Sequence, residues 1–394
     1  MSTIRFLTAG ESHGPALVAI VDGMPAGVPL AAEEIERDLR RRQVGYGRGG
    51  RMAIEKDMAE ILSGVAGGVT IGSPIALLIR NRDWDNWRGR TWPRLSVPRP
   101  GHADLVGYLK YELDDCRPIL ERASARETAA RVAAGAVARC LLYELGMRIG
   151  SFVERIGSAG LESWQPTWEL IEAAEESDVR CPDEHVAAAM RREIDAARKQ
   201  GESLGGVFVV LAEGLPAGLG SHTQWDRRLD GRLAQAVMSV QAVKGMEVGP
   251  AFANASLPGT QVHDAIAPVD GLGRPLTVAD AGRLRRTNRS GGLEGGMTTG
   301  QMLVLRAAMK PIPTTVLPQP SLDLDTGEVG TTQYQRSDVC AVPAAAVVAE
   351  AMVCLTLADA VVEKFGGDSL AAIQAGLARY LRQPLLGKQA AEEE

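Results

Sequence analysis

Aromatic side chains are scarce in this 394-residue chain, with six tryptophans, six tyrosines and five phenylalanines making up 4% of it. That is too few for the repeated stacking platforms of a single-stranded nucleic-acid binder. A net charge of −6 also disfavours general binding to nucleic acid or to an anionic membrane. Cysteine is sparse too. Cys116, Cys140, Cys181, Cys340 and Cys354 are odd in number, far apart and without a C-x-x-C pair, which argues against a disulfide framework or a structural zinc site and reads as buried, inert thiols. No uninterrupted apolar run approaches the roughly 20 residues that cross a bilayer. The opening Met1-Ser-Thr-Ile-Arg-Phe-Leu7 reaches Gly10-Glu11 too soon for a secretory signal, so the expected location is the cytoplasm. Lysine is nearly missing, at seven of 43 basic residues. Arginine's planar fork suits phosphate and carboxylate, but a GC-rich genome gives the same bias, and composition leaves both accounts open.

Three segments carry helical spacing with a clear stop: Arg126 to Leu145 ending at Gly146, Asp226 to Val243 ending before Gly245, and Ala344 to Phe365 ending at Gly366-Gly367. The last is apolar almost all round and should be buried on most sides. Ser124-Ala-Arg-Glu127 has the form of a capping box. Weaker helices are expected over Ala32 to Gln43 and Glu184 to Lys199. Strands are expected at Ile4 to Ala9, Ala16 to Val21, Val69 to Ile79, Gly206 to Ala212 and Met302 to Ala307. Helices and strands mix without regular alternation, which predicts an α+β layered fold rather than a doubly wound sheet. Gly157 to Pro182 reads as a surface connection. No linker divides the chain, so residues 1–370 are taken as one catalytic domain and 371–394 as a partly mobile tail.

Two aperiodic segments stand out. Asn81 to Asp104 holds Trp84, Trp87 and Trp92 with several arginines and reads as an ordered loop over a binding site. Arg286 to Gly300 has paired glycines that allow close backbone approach to a ligand. His13, in Gly10-Glu-Ser-His-Gly14, and His102, in Arg99-Pro-Gly-His-Ala-Asp104, sit in glycine-flanked turns where a proton-transfer group is accessible. His185, His222 and His263 have ordinary surroundings. Gly45-Tyr-Gly-Arg-Gly-Gly-Arg51 after Arg40-Arg-Arg42 is either an anion cradle or a solvated helix end. Ser124, beside Arg122, Arg126 and Arg131, either caps its helix or helps bind phosphate there. Asp338, two residues from Arg336, reads as a local ion pair. There is no Walker A loop, no G-x-G-x-x-G between a strand and a helix, since the run at 45–50 follows an expected helix, and no metal-ligand spacing.

Taken in order, GESHG at 10–14, GYGRGGR at 45–51, RPGHAD at 99–104, SARETAARVAAGAVAR at 124–139, RTNRSGGLEGGMTTG at 286–300 and RSDVCAVP at 336–343 closely resemble the chorismate synthase family. The resemblance spans nearly the whole chain. It implies a β-α-β sandwich, a homotetramer, and reduced FMN (FMNH2) in a basic cleft, with NADPH as a candidate reductant. The implied reaction is loss of phosphate from 5-enolpyruvylshikimate 3-phosphate by an anti-1,4-elimination, with no nucleic-acid or membrane partner. Carried over residue by residue, His13 resembles the acid serving the departing phosphate, His102 the group assisting flavin protonation, and Asp338 the carboxylate that works with the flavin to remove the carbon-6 proton. Flavin contacts map to Arg122, Ala123, Ser124, Gln241, Ala242, Gly295, Lys310, Pro311, Ile312, Pro313, Thr314 and Arg336. Arg42, Arg48, Arg51 and Arg126 are expected at the substrate anion or the nicotinamide nucleotide, with Arg48 as an exposed loop residue. Ala123 and Pro313 stand where many relatives carry a hydroxyl residue, so backbone contacts are expected there. The competing class is a flavin-dependent oxidoreductase acting on an anionic small molecule.

Overall fold

The computed structural model describes residues 4–49, 56–269, 274–333 and 337–385. Two antiparallel sheets enclose a layer of helices. The first comprises β1 (Arg5–Ala9), β2 (Ala16–Asp22), β3 (Ala59–Ile61) and β4 (Ile75–Arg80), in the order β1-β2-β4-β3. Leu17 pairs with Ile79 and Ala19 with Leu77, and these residues with Val21 and Ile75 are buried, while Leu7 and Ile20 are exposed. One face is thus core and the other solvent. The strand expected over Val69 to Ile79 is divided into Val69–Thr70 and β4, because Gly72 takes a positive φ of 81° ahead of Pro74.

The second sheet comprises β5 (Arg148–Ile156), β6 (Ala159–Gly160), β7 (Gly206–Glu213), β8 (Val243–Val248) and β9 (Leu303–Met309), in the order β8-β9-β7-β5-β6. Its inner strands are apolar on both faces. Val153, Phe208, Val210 and Leu305 join the main core, whereas Phe152, Val209, Leu211 and Val304 form a second cluster on the outside.

Among the helices, α1 (Ala32–Gln43) lies as expected, and α2 (Arg117–Ala123) leads through a single 3-10 turn into α3 (Thr128–Glu144). The capping box does not form. Ser124 Oγ accepts only from the Arg126 N–H, at 3.3 Å, and Glu127 turns to Thr8, Arg131 and Gln241. Within the stretch taken as surface, α4 (Trp168–Glu175) buries Ile171 and Ala174, and Trp164 meets Phe152 edge-on at 5.1 Å. This connection is the lid on the outer face of the second sheet. Next, α5 (Glu184–Gln200) is capped by Asp183 and stopped by Gly201 at φ 73°, and α6 (Leu229–Met238) is shorter than expected because Val243 already belongs to β8. The 24-residue α7 (Val342–Phe365) is long and apolar enough to cross a membrane, but it is buried almost throughout. It packs on α3 and on β5 and β7, while α3 packs on β2 and β4. The sheet–helix–sheet layering is therefore α3 and α7 held between the two sheets. Finally, α8 (Leu370–Leu381) buries Leu370, Ile373 and Leu377 in the main core, so the segment assigned to a tail begins as a packed helix. Residues from 386 onward lie outside the described residues.

Candidate active site

Where α3 and α7 begin and β9 ends, seven chain segments meet around a cavity of about 650 Å3. Its wall carries Arg42, Arg48, Arg99, Arg117, Arg126, Lys244 and Lys310, both glycine-flanked histidines, and one carboxylate, Asp338. The opposite character is supplied by Leu120, Val240, Met309, Ile312, Ala344, Ala345 and Val348. Such a mixture of an apolar wall with convergent charges is the usual make-up of a small-molecule site.

His13 is fixed from the α2 side. Its backbone N–H donates to Glu121 Oε2 at 2.8 Å, and its Nδ1 lies 2.9 Å from both oxygens of the same carboxylate. Glu121 is fully buried, and Arg117 stands 3.5 Å away. Burial pushes the Glu121 carboxyl up, but the His13 ring and N–H, with Arg117, hold it below its usual value. Trp87 covers the imidazole at 4.7 Å between ring centres, so the tryptophan segment does reach the site. His102 is placed by Asp104, whose Oδ1 is 2.6 Å from Nδ1. Arg99 shares that carboxylate at 2.8 Å and also donates to Thr314 Oγ1 at 3.0 Å. The loop is thereby tied to the Lys310–Thr314 segment, where Lys310 Nζ donates to the Gly101 carbonyl at 2.5 Å. Burial pushes the Asp104 carboxyl up, yet His102 and Arg99 hold it well below the carboxylate range.

The arginines divide into two kinds. Arg42 and Arg126 are buried and meet on one carboxylate, Asp57, at 3.2 and 2.5 Å. Arg42 also donates to Thr128 Oγ1 and the Ala125 carbonyl, and Arg126 to Asn81 Oδ1. Their guanidinium groups are built into the cleft floor. Arg48, expected to be exposed, is almost fully buried and pairs with Asp338 Oδ2 at 2.8 Å, while the Gly49 N–H donates to Oδ1 at 2.6 Å. The glycine loop is thus an arm zipped to residues 337–340, with the Val339 N–H on the Gly47 carbonyl at 2.9 Å. A side chain at Gly49 would strike the Ser337 carbonyl oxygen at 2.7 Å. The cation beside Asp338 is Arg48. Arg336 and Arg51 lie outside the described residues.

Of the residues mapped to flavin, Ala123, Ser124, Gln241, Ala242, Lys310, Ile312, Pro313 and Thr314 line the cleft, whereas Arg122, Pro311 and Gly295 are not in its wall. Arg122 donates instead to the Thr8 and Gly10 carbonyls, at 2.9 and 3.3 Å. Gly295 sits in the hairpin Leu293–Thr298, where an added Cβ would lie 4.0 Å from the side chains of His222 and Met297. Nor do Arg122, Arg126 and Arg131 converge on the start of α3, because Arg131 is spent on Glu127 and Ser239. Ala242 holds a φ of 66°, rare for a residue with a side chain, and its carbonyl accepts the Lys310 N–H at 2.9 Å. Gln241 gives its Nε2 to Glu127, and its buried Oε1 has no partner among the described residues. Lys244 and Lys310 have no ion pair among the described residues, and they leave the cleft with positive charge to spare. His185, His222 and His263 are exposed. Ser12, Asp57, Lys244, Arg117 and Glu121 were not singled out by sequence. Arg99 and Asp104 flank His102 in a segment that was.

The fold and cleft define a layered α+β protein with a basic, histidine-bearing pocket of small-molecule size. A family model described as chorismate synthase matches residues 4–362. A chorismate synthase of Moorella thermoacetica is 58% identical over 385 residues, covering 96% of this chain and 98% of the relative. One from Chlorobium luteolum is 53% identical over 397 residues, with 96% and 97% covered. A solved structure titled "Crystal Structure of Chorismate Synthase" superposes with a TM-score of 0.77 at 46% identity, covering 96% of this chain and 97% of that one. The chain belongs to the chorismate synthase family, whose members are carbon–oxygen lyases.

Proposed function

We propose that this cleft binds 5-enolpyruvylshikimate 3-phosphate together with reduced FMN and eliminates phosphate to give chorismate. The observation that carries the reading is the charge of the wall, seven cationic side chains against one carboxylate among the described residues. A substrate with three anionic groups needs several fixed cations, and those held by a rigid scaffold cost no reorganisation during the reaction. The pocket also suits a flavin. Its apolar wall matches a flat ring system, and the unmet Gln241 Oε1 can accept from a ring N–H. When bound, reduced FMN lends electron density that eases the loss of phosphate and regains it, so it is not consumed.

The chain's own residues then have separate tasks. His13 gives its Nε2 proton to the departing phosphate oxygen as the carbon–oxygen bond breaks. Asp338, steadied by Arg48 and the Gly49 N–H, serves the carbon-6 hydrogen on the other side of the elimination. His102 holds a proton beside the flavin, and Arg48 binds a substrate anion. Ala123, with no hydroxyl, and Pro313 leave their contacts to the backbone. NADPH as electron source, a homotetramer and a cytoplasmic location complete this reading.

The test is an anaerobic assay with pre-reduced FMN that follows chorismate and phosphate while the flavin absorbance is recorded. Product should form with the flavin still reduced, and NADPH without flavin should support none. Turnover with oxidised FMN and no reductant, or flavin oxidised in step with product, would overturn the reading in favour of an oxidoreductase.

A further inference from the structure

We infer that Glu121 is a positioning residue for His13, fixing the ring so that Nδ1 faces the protein and Nε2 faces the cleft. The inference rests on the acid role just given to His13. A carboxylate with no exposure to water is costly unless its lone pairs are met. Glu121 directs its hydrogen bonds to one residue, taking the His13 backbone N–H at 2.8 Å and its Nδ1 at 2.9 Å, while Arg117 stands 3.5 Å from Oε1. The backbone is locked from the same helix, since the Ser12 N–H donates to the Glu121 carbonyl at 3.1 Å. Trp87 packs on the ring at a tilt, 4.7 Å between centres. An acceptor-only partner at Nδ1 requires the proton there. The exchangeable proton is then on Nε2, which has no protein partner among the described residues.

When the substrate's carbon–oxygen bond breaks, its electron pair goes to the phosphate oxygen, which takes the Nε2 proton. The imidazolium becomes neutral imidazole with its hydrogen still on Nδ1, and Glu121 stays a carboxylate throughout. His102 is not held in the same way, because Asp104 divides its oxygens between the imidazole and Arg99. The two histidines of the cleft are therefore distinct in mounting as well as in partner.

The test compares the full-length holoenzyme with Glu121→Gln and Glu121→Asp. It reads kcat and KM with reduced FMN, the 15N shifts of the His13 ring nitrogens assigned with His13→Ala, and the melting temperature. Glu121→Gln should lower kcat by at least about tenfold, within the roughly 10²–10⁴-fold span of general acid catalysis. KM should change less than about threefold, since no substrate contact is removed. The wild-type spectrum should show Nδ1 protonated, and the glutamine variant should show the neutral ring redistributed between its tautomers. Glu121→Asp, which keeps the charge, should recover part of the lost kcat. Unchanged kcat in a folded Glu121→Gln, or a wild-type ring with Nδ1 bare, overturns the inference. If Glu121→Gln does not fold, the aspartate variant decides by the same readouts, and failure to alter either kcat or the ring shifts overturns it. The ring shifts need no turnover. An inactive wild type would thus reject the reaction while leaving the mounting of His13 separately decided.

Discussion

Asp57 holds two guanidinium groups at once, and this separates arginines that build the cleft from one that works in it. Arg42 is so enclosed that burial pushes its pKa down to about 10 despite Asp57. Arg42→Ala leaves Asp57 paired with Arg126 but takes the donor from Thr128 Oγ1 and the Ala125 carbonyl, a loss of about 1–3 kcal/mol that should appear first as a lower melting temperature. Arg48→Ala should instead weaken substrate binding by about 1.5–3 kcal/mol, the worth of a charge-assisted contact, read by calorimetry. It should also cost some stability, because Asp338 loses its cation. His13→Ala should reduce turnover by about 10²–10⁴-fold with little change in substrate affinity. His102→Ala should shift the spectrum of bound reduced FMN and its pH dependence, and His13→Ala should not. The histidines were legible as candidates because glycine-flanked turns mark them, one after a strand and one inside the tryptophan loop. Glu121 and Asp57 were not, because a carboxylate that acts through burial against distant residues leaves no pattern around itself in the chain.

The helices meet more closely than their composition suggests. At the crossing of α3 and α7 a Cβ added to Gly135 would lie 2.3 Å from the Ala351 Cβ and 2.5 Å from its Cα. Gly→Ala in a helix gains about 1 kcal/mol of propensity, whereas overpacking against backbone costs about 1–3 kcal/mol, so Gly135→Ala should be net destabilising in a urea melt and Gly135→Val more so. Beside this crossing, Glu350 of α7 meets Arg41 of α1, Arg139 of α3, and Arg180, at 2.9, 2.7 and 3.3 Å. Burial pushes the Glu350 carboxyl up, but the three arginines hold it well below the carboxylate range. A carboxyl depressed by folding stabilises above its unfolded pKa of about 4.3, and the contribution is lost as pH falls below that. Glu350→Gln should lower the melting temperature at neutral pH and flatten its decline in acid. These helices were legible from their spacing. By contrast β5 was missed, since Glu154 breaks its apolar run, and only the fold shows that Arg306 of β9 neutralises it at 2.6 Å and meets Glu247 of β8 at 2.7 Å. The overrun of α6 has a similar cause, since Val240 and Val243 fit a helix period as well as a strand.

Across the whole molecule, layering was foreseeable from mixed, non-alternating elements, but the pairing of strands about 100 residues apart, such as β7 with β9, was not, because register depends on partners that local sequence does not name. The cavity is the extreme case. It forms only when the ends of the chain have come together, since the Ile4 N–H donates to Asp359 at 2.8 Å and Ala26 exchanges hydrogen bonds with Asp368 and Leu370. The central helix α7 is nearly the last element in the chain, yet it is the surface against which the earlier layers are assembled. On the ribosome, synthesis at about 5–20 residues per second exposes the inward face of the second sheet and the side of α3 that meets it before α7 emerges. A chain ending at residue 341 should therefore aggregate when translated, and supplying residues 342–385 as a separate peptide during synthesis should raise its soluble yield. The helix on which α3 and the second sheet close is thus made almost last, and the newborn chain needs shielding until α7 arrives.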